Sequence, residues 1–495
     1  MQQSTEWMRD RADKLKEDVC TLFTPTKDIL RRMYLVDEIV HLGIDHLFEK
    51  EIETALKDIH ETEFTSSNLH EVALRFRLLR ERGFWVSPDP RSLLSLYNAA
   101  HLFIHGEPEL EEAISFARNH LESMSSHSVL KAPLADQVKR HLRLPLPRTH
   151  KRVEMLHYMF EYDQENEHNP VLLELAKLDF NLLQQVHLKE LKEISRWWKD
   201  VLAHMGLDHI RDRVIECYTW SYAVYHEKDL ALARMIFAKL VALTSVLDDT
   251  YDVHAYTSIE ECRMLNVAIQ GWDDSAALLV PEYLRKFYEI ILRTFREFED
   301  QIPRNQRYLA AFSKAELTSN YLEAAEWYHR NHKPSFNDQV ALGTATTGTR
   351  SLAAGLMLGM GDAATTKQAF QWAVTSTDAI ISCGKIGRLM NDISGFKLGS
   401  QNKADMACAV EAYIKEHKVT ADVAIARINE VLEEEWKTTN QARVDHRAVL
   451  PVVQRMINIT LGIQLFYGND SDAFTFGKQL QEVLEDLYVK PMPLL

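Results

Sequence analysis

The chain has 495 residues with only 17 Gly and 14 Pro, roughly half of what average usage gives, so helix is the expected backbone. Hydrophobic residues make up 46% and charged ones 26%, which excludes a disordered chain; no run of about 18 apolar residues stands out, and no membrane-crossing helix is expected. The formal net charge of −15 speaks against a nucleic-acid partner, and it requires local arginines or metal ions wherever an anionic substrate binds.

In chain order, the opening residues MQQSTEWMRDRADKLKEDV have no apolar core and many acids. They match neither a secretory signal nor a transit peptide, so a cytoplasmic location is expected. The five cysteines (Cys20, Cys217, Cys262, Cys383, Cys408) show no zinc spacing and read as reduced thiols. Leu74 to Arg80, then Gly83 and Ser87-Pro88-Asp89-Pro90, predicts a helix, a stop and a loop. Leu144-Pro145-Leu146-Pro147 is a second break, and Arg196-Trp197-Trp198-Lys199-Asp200 closes the more polar half. The expected domains are therefore 1–205 and 206–495. Leu230 to Val241 is apolar at nearly every position, with only Arg234 and Lys239 charged, as in a helix inside a bundle. Gly343, Gly348, Gly355, Gly359 and Gly361 cluster in a helical region and predict kinks or close packing around a cavity. No strand alternation or repeat is visible, so the fold class is all-α, with two helical domains.

Three motifs carry chemistry. Asp248 and Asp252 in Leu247-Asp248-Asp249-Thr250-Tyr251-Asp252 stand one helical turn apart on one face, where burial is expected. A buried acidic pair wants cations, and Mg²⁺ suits it, being oxygen-seeking and commonly held by one or two carboxylates plus substrate phosphates. Arg211-Asp212-Arg213 lies upstream, and guanidinium forks fit phosphate oxygens. In Arg388-Leu389-Met390-Asn391-Asp392, Arg388 can bind phosphate while Asn391 offers a carbonyl oxygen to a metal. Each motif alone has a plainer reading: a solvated acidic helix end, a surface arginine pair, a capped helix terminus. Together, in an apolar bundle, they imply a metal-bridged organic diphosphate with a greasy tail.

These motifs, with Arg75 to Arg80, Lys177-Leu178-Asp179-Phe180-Asn181 and Ser195-Arg196-Trp197-Trp198-Lys199, stand in the order seen in plant terpene synthases. The chain resembles that family over nearly its whole length, closest to the cytosolic sesquiterpene cyclases. The resemblance implies an N-terminal α-barrel-like domain, largely vestigial, before a C-terminal α-bundle that holds the active site. It implies class I, ionisation-initiated chemistry on farnesyl diphosphate, with three Mg²⁺ ions (or Mn²⁺ in their place). No D-x-D-D string supports the protonation-initiated class. Carried over, Asp248 and Asp252, with Asn391, become metal ligands, and Asp249 supports them. Arg211, Arg213 and Arg388 become diphosphate-binding residues. Trp272 becomes the active-site tryptophan, with core anchoring as its plainer role. Thr346 and Thr347 mark a helix break whose carbonyls face the cation. Tyr467 and Asp472-Ala473-Phe474-Thr475 resemble the pocket-closing loop, where Phe474 replaces the family's tyrosine and loses its hydroxyl. A monomer acting on a small-molecule prenyl diphosphate is expected.

The departures are specific. The family's second metal motif places ligands at i, i+4 and i+8, which here are Asn391, Gly395 and Gly399. Gly399 removes an expected carboxylate and leaves one of three metal sites incomplete; Lys397 adds positive charge, and Asp405 is the nearest acid. The stretch after Ser87-Pro88-Asp89 is shorter than in the family, and the family's leading segment is not visible before Trp7. These features support an alternative: an impaired homologue or helical partner protein that binds prenyl diphosphate without turnover. A C10 substrate is disfavoured, because the start lacks both a plastid peptide and a tandem Arg-Arg with a downstream Trp at the family's spacing.

Overall fold

The structure, a computed structural model, describes residues 4–23, 28–62, 64, 66, 68–84, 93–126, 130, 132–165, 168–207, 209–252, 256–315, 318–361, 365–375, 378–399, 408–468 and 471–494. Asp405 and the loop Ser87-Pro88-Asp89 lie outside them. Every regular element among the described residues is helical, in agreement with the all-α expectation. The chain forms two compact units, but not by one cut near 205. Unit one takes Met1–Leu188, Asn440–Arg447 and Gln481–Leu495; unit two takes Lys189–Thr439 and Ala448–Leu480. The sequence boundary is hidden because one uninterrupted helix, Pro170–Met205, runs through it.

In unit one, helices start on conventional caps: Ser4 accepts from Trp7 N–H, Asp28 from Leu30 and Arg31, and Asn68 from His70. The arginines of the Arg75–Arg80 motif assemble this unit. Arg75 caps the carbonyl of Ile59 at 3.0 Å, Arg77 pairs with Asp37, and Arg80 with Glu107. The Lys177–Asn181 motif works likewise. Lys177 reaches Asp163 at 3.0 Å, and Asn181 clips Met492 through both its amide and its carbonyl, at 3.0 and 2.8 Å.

Unit two is a bundle around the helix Ala231–Asp252, here called the acidic helix. It packs on Val214–Val224, Ser319–His329 and Thr349–Gly355, while Asp378–Lys397 packs on Phe336–Thr346 and Leu450–Tyr467. Fifteen of the acidic helix's 22 residues are buried, as its continuous apolar run predicts. The windows Lys228–Asp252 and Arg447–Tyr467 do reach the length and mean hydropathy (1.9 and 1.4) of a membrane span, contrary to the sequence expectation. Two thirds of each is buried inside the protein, so both are core helices. The glycine cluster allows close approach, as expected. A Cβ on Gly355 would stand 2.4 Å from Leu240 Cδ2, and one on Gly359 2.9 Å from the Ala233 backbone. At Gly348, φ is +70° and the helix breaks between Thr346 and Thr349.

Arg234 is wholly buried near the start of the acidic helix. It holds Glu190 through two bonds of 2.7 Å, and Glu190 also accepts from Tyr218 Oη at 2.7 Å. Glu190→Ala strands this guanidinium and is expected to cost about 3–5 kcal/mol of stability, read by denaturant unfolding. An unchanged midpoint would refute that role.

Candidate active site

The site lies at the C-terminal end of the acidic helix. Its three aspartates face different partners. Asp249 is 1% exposed and is gripped by Arg211 through its side chain, with Nε at 3.0 Å, and through its backbone N–H at 3.2 Å. Asp212 accepts from Trp198 Nε1 at 2.9 Å, which pins the segment before Val214. Arg211 thus turns outward to Asp249, while Arg213 turns inward. Only 6% of Arg213 is exposed; among the described residues its Nε and Nη2 have no hydrogen-bond partner, and its guanidinium lies 4.6 Å over the Phe474 ring.

Asp248 forms no ion pair among those described. Burial and the neighbouring Asp249 push its carboxyl up to about 6, against the pull of Arg211, Arg213 and Arg388. Asp252 faces the same group: it acts on Arg211, Arg388 and Tyr321 together with Asp248. Arg388 arrives from the helix Asp378–Lys397. Burial opposes its charge, but Asp392, Asp252 and Asp248 raise it above the ordinary guanidinium range. Its stem crosses Gly343 so closely that a Cβ there would stand 2.8 Å from Cγ. Tyr467 joins from the end of Leu450–Tyr467. Burial and Asp472 raise its phenol, while Arg213 and Arg388 act against them. The structure therefore brings together Asp248, Asp252, Arg211, Arg213, Arg388, Tyr467 and Asp472. Asp472 also accepts from Thr475 N–H at 3.0 Å, holding its loop.

The second candidate metal face is thin for a structural reason. Asp392 is 3% exposed and committed to Arg388 and to the Ala409 N–H at 2.7 Å, where it anchors the next helix. Asn391 remains half-buried beside it as an oxygen donor. Gly395 lies within the helix with open space where a Cβ would be. Gly399 lies beyond the helix end at Lys397, with φ +59°. A side chain there is strained and does not continue the metal-facing row. Among the described residues no group of three His, Cys, Asp or Glu could hold a metal alone. Asp248 and Asp252 with Asn391 nevertheless fit Mg²⁺, which usually completes its shell with water and substrate phosphate.

Trp272 is a correction. It caps the helix Ile259–Gly271 in the left-handed region (φ +48°), with its ring edge-on to Phe295 at 5.1 Å, so it anchors that helix corner. The aromatic wall beside Arg213 is instead Trp220, stacked on Phe466 at 4.4 Å and edge-on to Phe474 at 6.2 Å. Trp220 stands seven residues after Arg213, two turns along one helix face, a signal present in the sequence. The loss of the hydroxyl at Phe474 leaves a ring that stacks on Arg213.

Comparison with known proteins agrees with this geometry. Residues 199–438 match the family described as "Terpene synthase family, metal binding domain", and residues 1–142 match "Terpene synthase, N-terminal domain". A tau-cadinol synthase of Zea mays is 48% identical, covering 100% of this chain and 94% of its own. An alpha-copaene synthase of Zea mays is 44% identical, covering 98% and 96%. Isoprene synthase from grey poplar (Populus x canescens), solved with three Mg²⁺ ions and dimethylallyl-S-thiolodiphosphate, superimposes with a TM-score of 0.86 at 26% identity, over 99% of this chain and 98% of its own.

Ligation would require ionised carboxylates, so protons would compete with a metal at Asp248 below about pH 6. The Mg²⁺ concentration for half-maximal turnover is expected to rise by up to about tenfold per pH unit below that point, measured by metal titration across pH 5–8. Gly395→Ser, which adds a hydroxyl into open space, is expected to lower that concentration, whereas Gly399→Glu is not. The reverse order would refute this view of the second metal face. The chain belongs to the terpene synthase family, and its metal-binding domain contains the acidic helix and its arginines.

Proposed function

We propose that this protein is a class I sesquiterpene synthase that ionises farnesyl diphosphate and releases a C15 hydrocarbon or alcohol plus diphosphate. The observation that carries the reading is Arg213: a nearly buried guanidinium with two unpartnered N–H-bearing nitrogens beside a carboxyl that burial holds near 6. Such an arrangement is satisfied by an anion and cations together. The relatives carry sesquiterpene synthase names, which favours a C15 substrate over shorter chains.

Asp248, Asp252 and Asn391 would hold the divalent ions, for which three Mg²⁺ are proposed. Bound there, the ions would supply Lewis-acid stabilisation of charge on the departing oxygen. Arg213 and Arg388 would grip the diphosphate from two helices; Arg211 would remain on Asp249 and fix the acidic helix end. Trp220, Phe466 and Phe474 would present ring faces to positive charge, worth about 1–2 kcal/mol or more in a dry site.

The test is incubation of purified protein with farnesyl diphosphate, with and without Mg²⁺, and analysis of volatiles by gas chromatography with mass detection. A Mg²⁺-dependent C15 product is expected. Asp248→Ala is expected to abolish it, and Arg213→Met to lower kcat/KM by roughly 10–150-fold, the loss of one or two charge-assisted hydrogen bonds. Silence from folded protein with both farnesyl and geranyl diphosphate would favour the non-catalytic homologue instead.

A further inference from the structure

Tyr321, on the helix Ser319–His329, is a polar group that the site described above does not use. It is 5% exposed, and its ring lies 6.0 Å from that of Tyr251 on the acidic helix. Among the described residues its hydroxyl has no hydrogen-bond partner. It lies beside the Gly348 break: a Cβ there would stand 3.5 Å from Tyr321 Oη and 3.2 Å from Thr244 Cγ2. Thr244 precedes Asp248 by one helical turn on the same face, so Thr244, which the break approaches beside this hydroxyl, lies one turn before the carboxylates. Both carboxylates still act on it electrostatically.

The break supplies further unsatisfied polar groups. The carbonyls of Thr346 and Thr347 accept no hydrogen bond among the described residues, since the turn bonds run to Thr344 and Ala345 and the next helix begins on Gly348. Among the described residues Thr344 Oγ1 is buried without a partner. A buried phenol costs free energy unless it is hydrogen-bonded, and a site with several polar groups holds a water where a purely apolar one stays dry.

We infer that Tyr321 is a positioning residue that holds a water molecule between its hydroxyl and the carbonyls of the helix break, where it captures the carbocation and directs part of the reaction to an alcohol. The inference rests on the synthase reading above. In the step, a lone pair of the water oxygen forms a C–O bond to the cationic carbon. The resulting oxonium gives one proton to the diphosphate released in the first step, which leaves the neutral alcohol. Burial and the charges of Asp248 and Asp252 raise the phenol well above its ordinary range, so Tyr321 stays protonated throughout and acts only through its hydrogen bonds.

The test is product analysis in ¹⁸O-labelled water with Mg²⁺ and farnesyl diphosphate. Wild-type protein is expected to give an alcohol that carries the label. Tyr321→Phe is expected to lower the alcohol-to-olefin ratio about fivefold or more while total turnover stays within about threefold. A structural role alone would change turnover and leave the ratio in place. Wild-type turnover without labelled alcohol overturns the inference whether or not the variant folds, and so does an unchanged ratio in folded Tyr321→Phe. No turnover by wild-type protein would instead overturn the synthase reading, and this inference with it.

Discussion

Carboxylates one helical turn apart, at the end of a helix whose other residues are mostly buried, cannot all stay ionised without cations nearby. The rest of unit two answers that constraint. Asp249 receives Arg211 and is neutralised within the protein. Among the described residues Asp248 has no ion pair, and burial with the neighbouring Asp249 pushes its carboxyl up to about 6. Arg213 and Arg388 come close enough to act on it without pairing to it. The protein thus keeps one carboxylate and one guanidinium apart and each partly unsatisfied, a state that oxygen-seeking cations and a polyanion relieve together.

Holding Arg388 and Arg213 at that distance depends on how near the helices can approach. Arg388 reaches the acidic pair because Gly343 gives its stem no Cβ to cross. Gly384 lets Asp378–Lys397 approach the break so closely that a Cβ would stand 2.6 Å from Thr349 Oγ1. Gly462 does the same for Trp220, whose ring would be 3.2 Å from such a Cβ. Close packing of this kind resists gradual deformation. The glycines therefore fix where charge and ring faces meet, although none of them carries chemistry.

Much of this was legible in the sequence, because periodicity and like-charge spacing are local. The buried acidic helix, the Asp248/Asp252 face, the two arginine motifs and the break at Thr346–Gly348 needed no tertiary information. Trp272 was misread because a tryptophan near the acidic helix fits the motif order, while its left-handed cap and its packing on Phe295 depend on a turn that sequence does not display. Trp220 was missed although its spacing from Arg213 was visible; its significance comes from Phe466 and Phe474, more than 240 residues away in the chain. The division into units was hidden for a related reason: two C-terminal segments return to unit one, a long-range assembly that composition does not record.

The two candidate metal faces are unequal, and under the proposed function that inequality has a consequence. Asp248 and Asp252 sit on a rigid, buried helix, whereas the opposite helix contributes only Asn391, because Asp392 is spent on Arg388 and the Ala409 N–H. Gly395 offers no oxygen, and the helix has ended before Gly399. An ion held on that side, as proposed, would have to draw most of its ligands from water and from a bound diphosphate. Its binding is then linked to substrate binding: each raises the affinity for the other by the same factor. Without substrate, the second face has too few donors to compete with bulk water for an ion that dehydrates reluctantly. The missing carboxylate would therefore weaken the resting site more than the loaded one, in which the leaving group itself would supply oxygen.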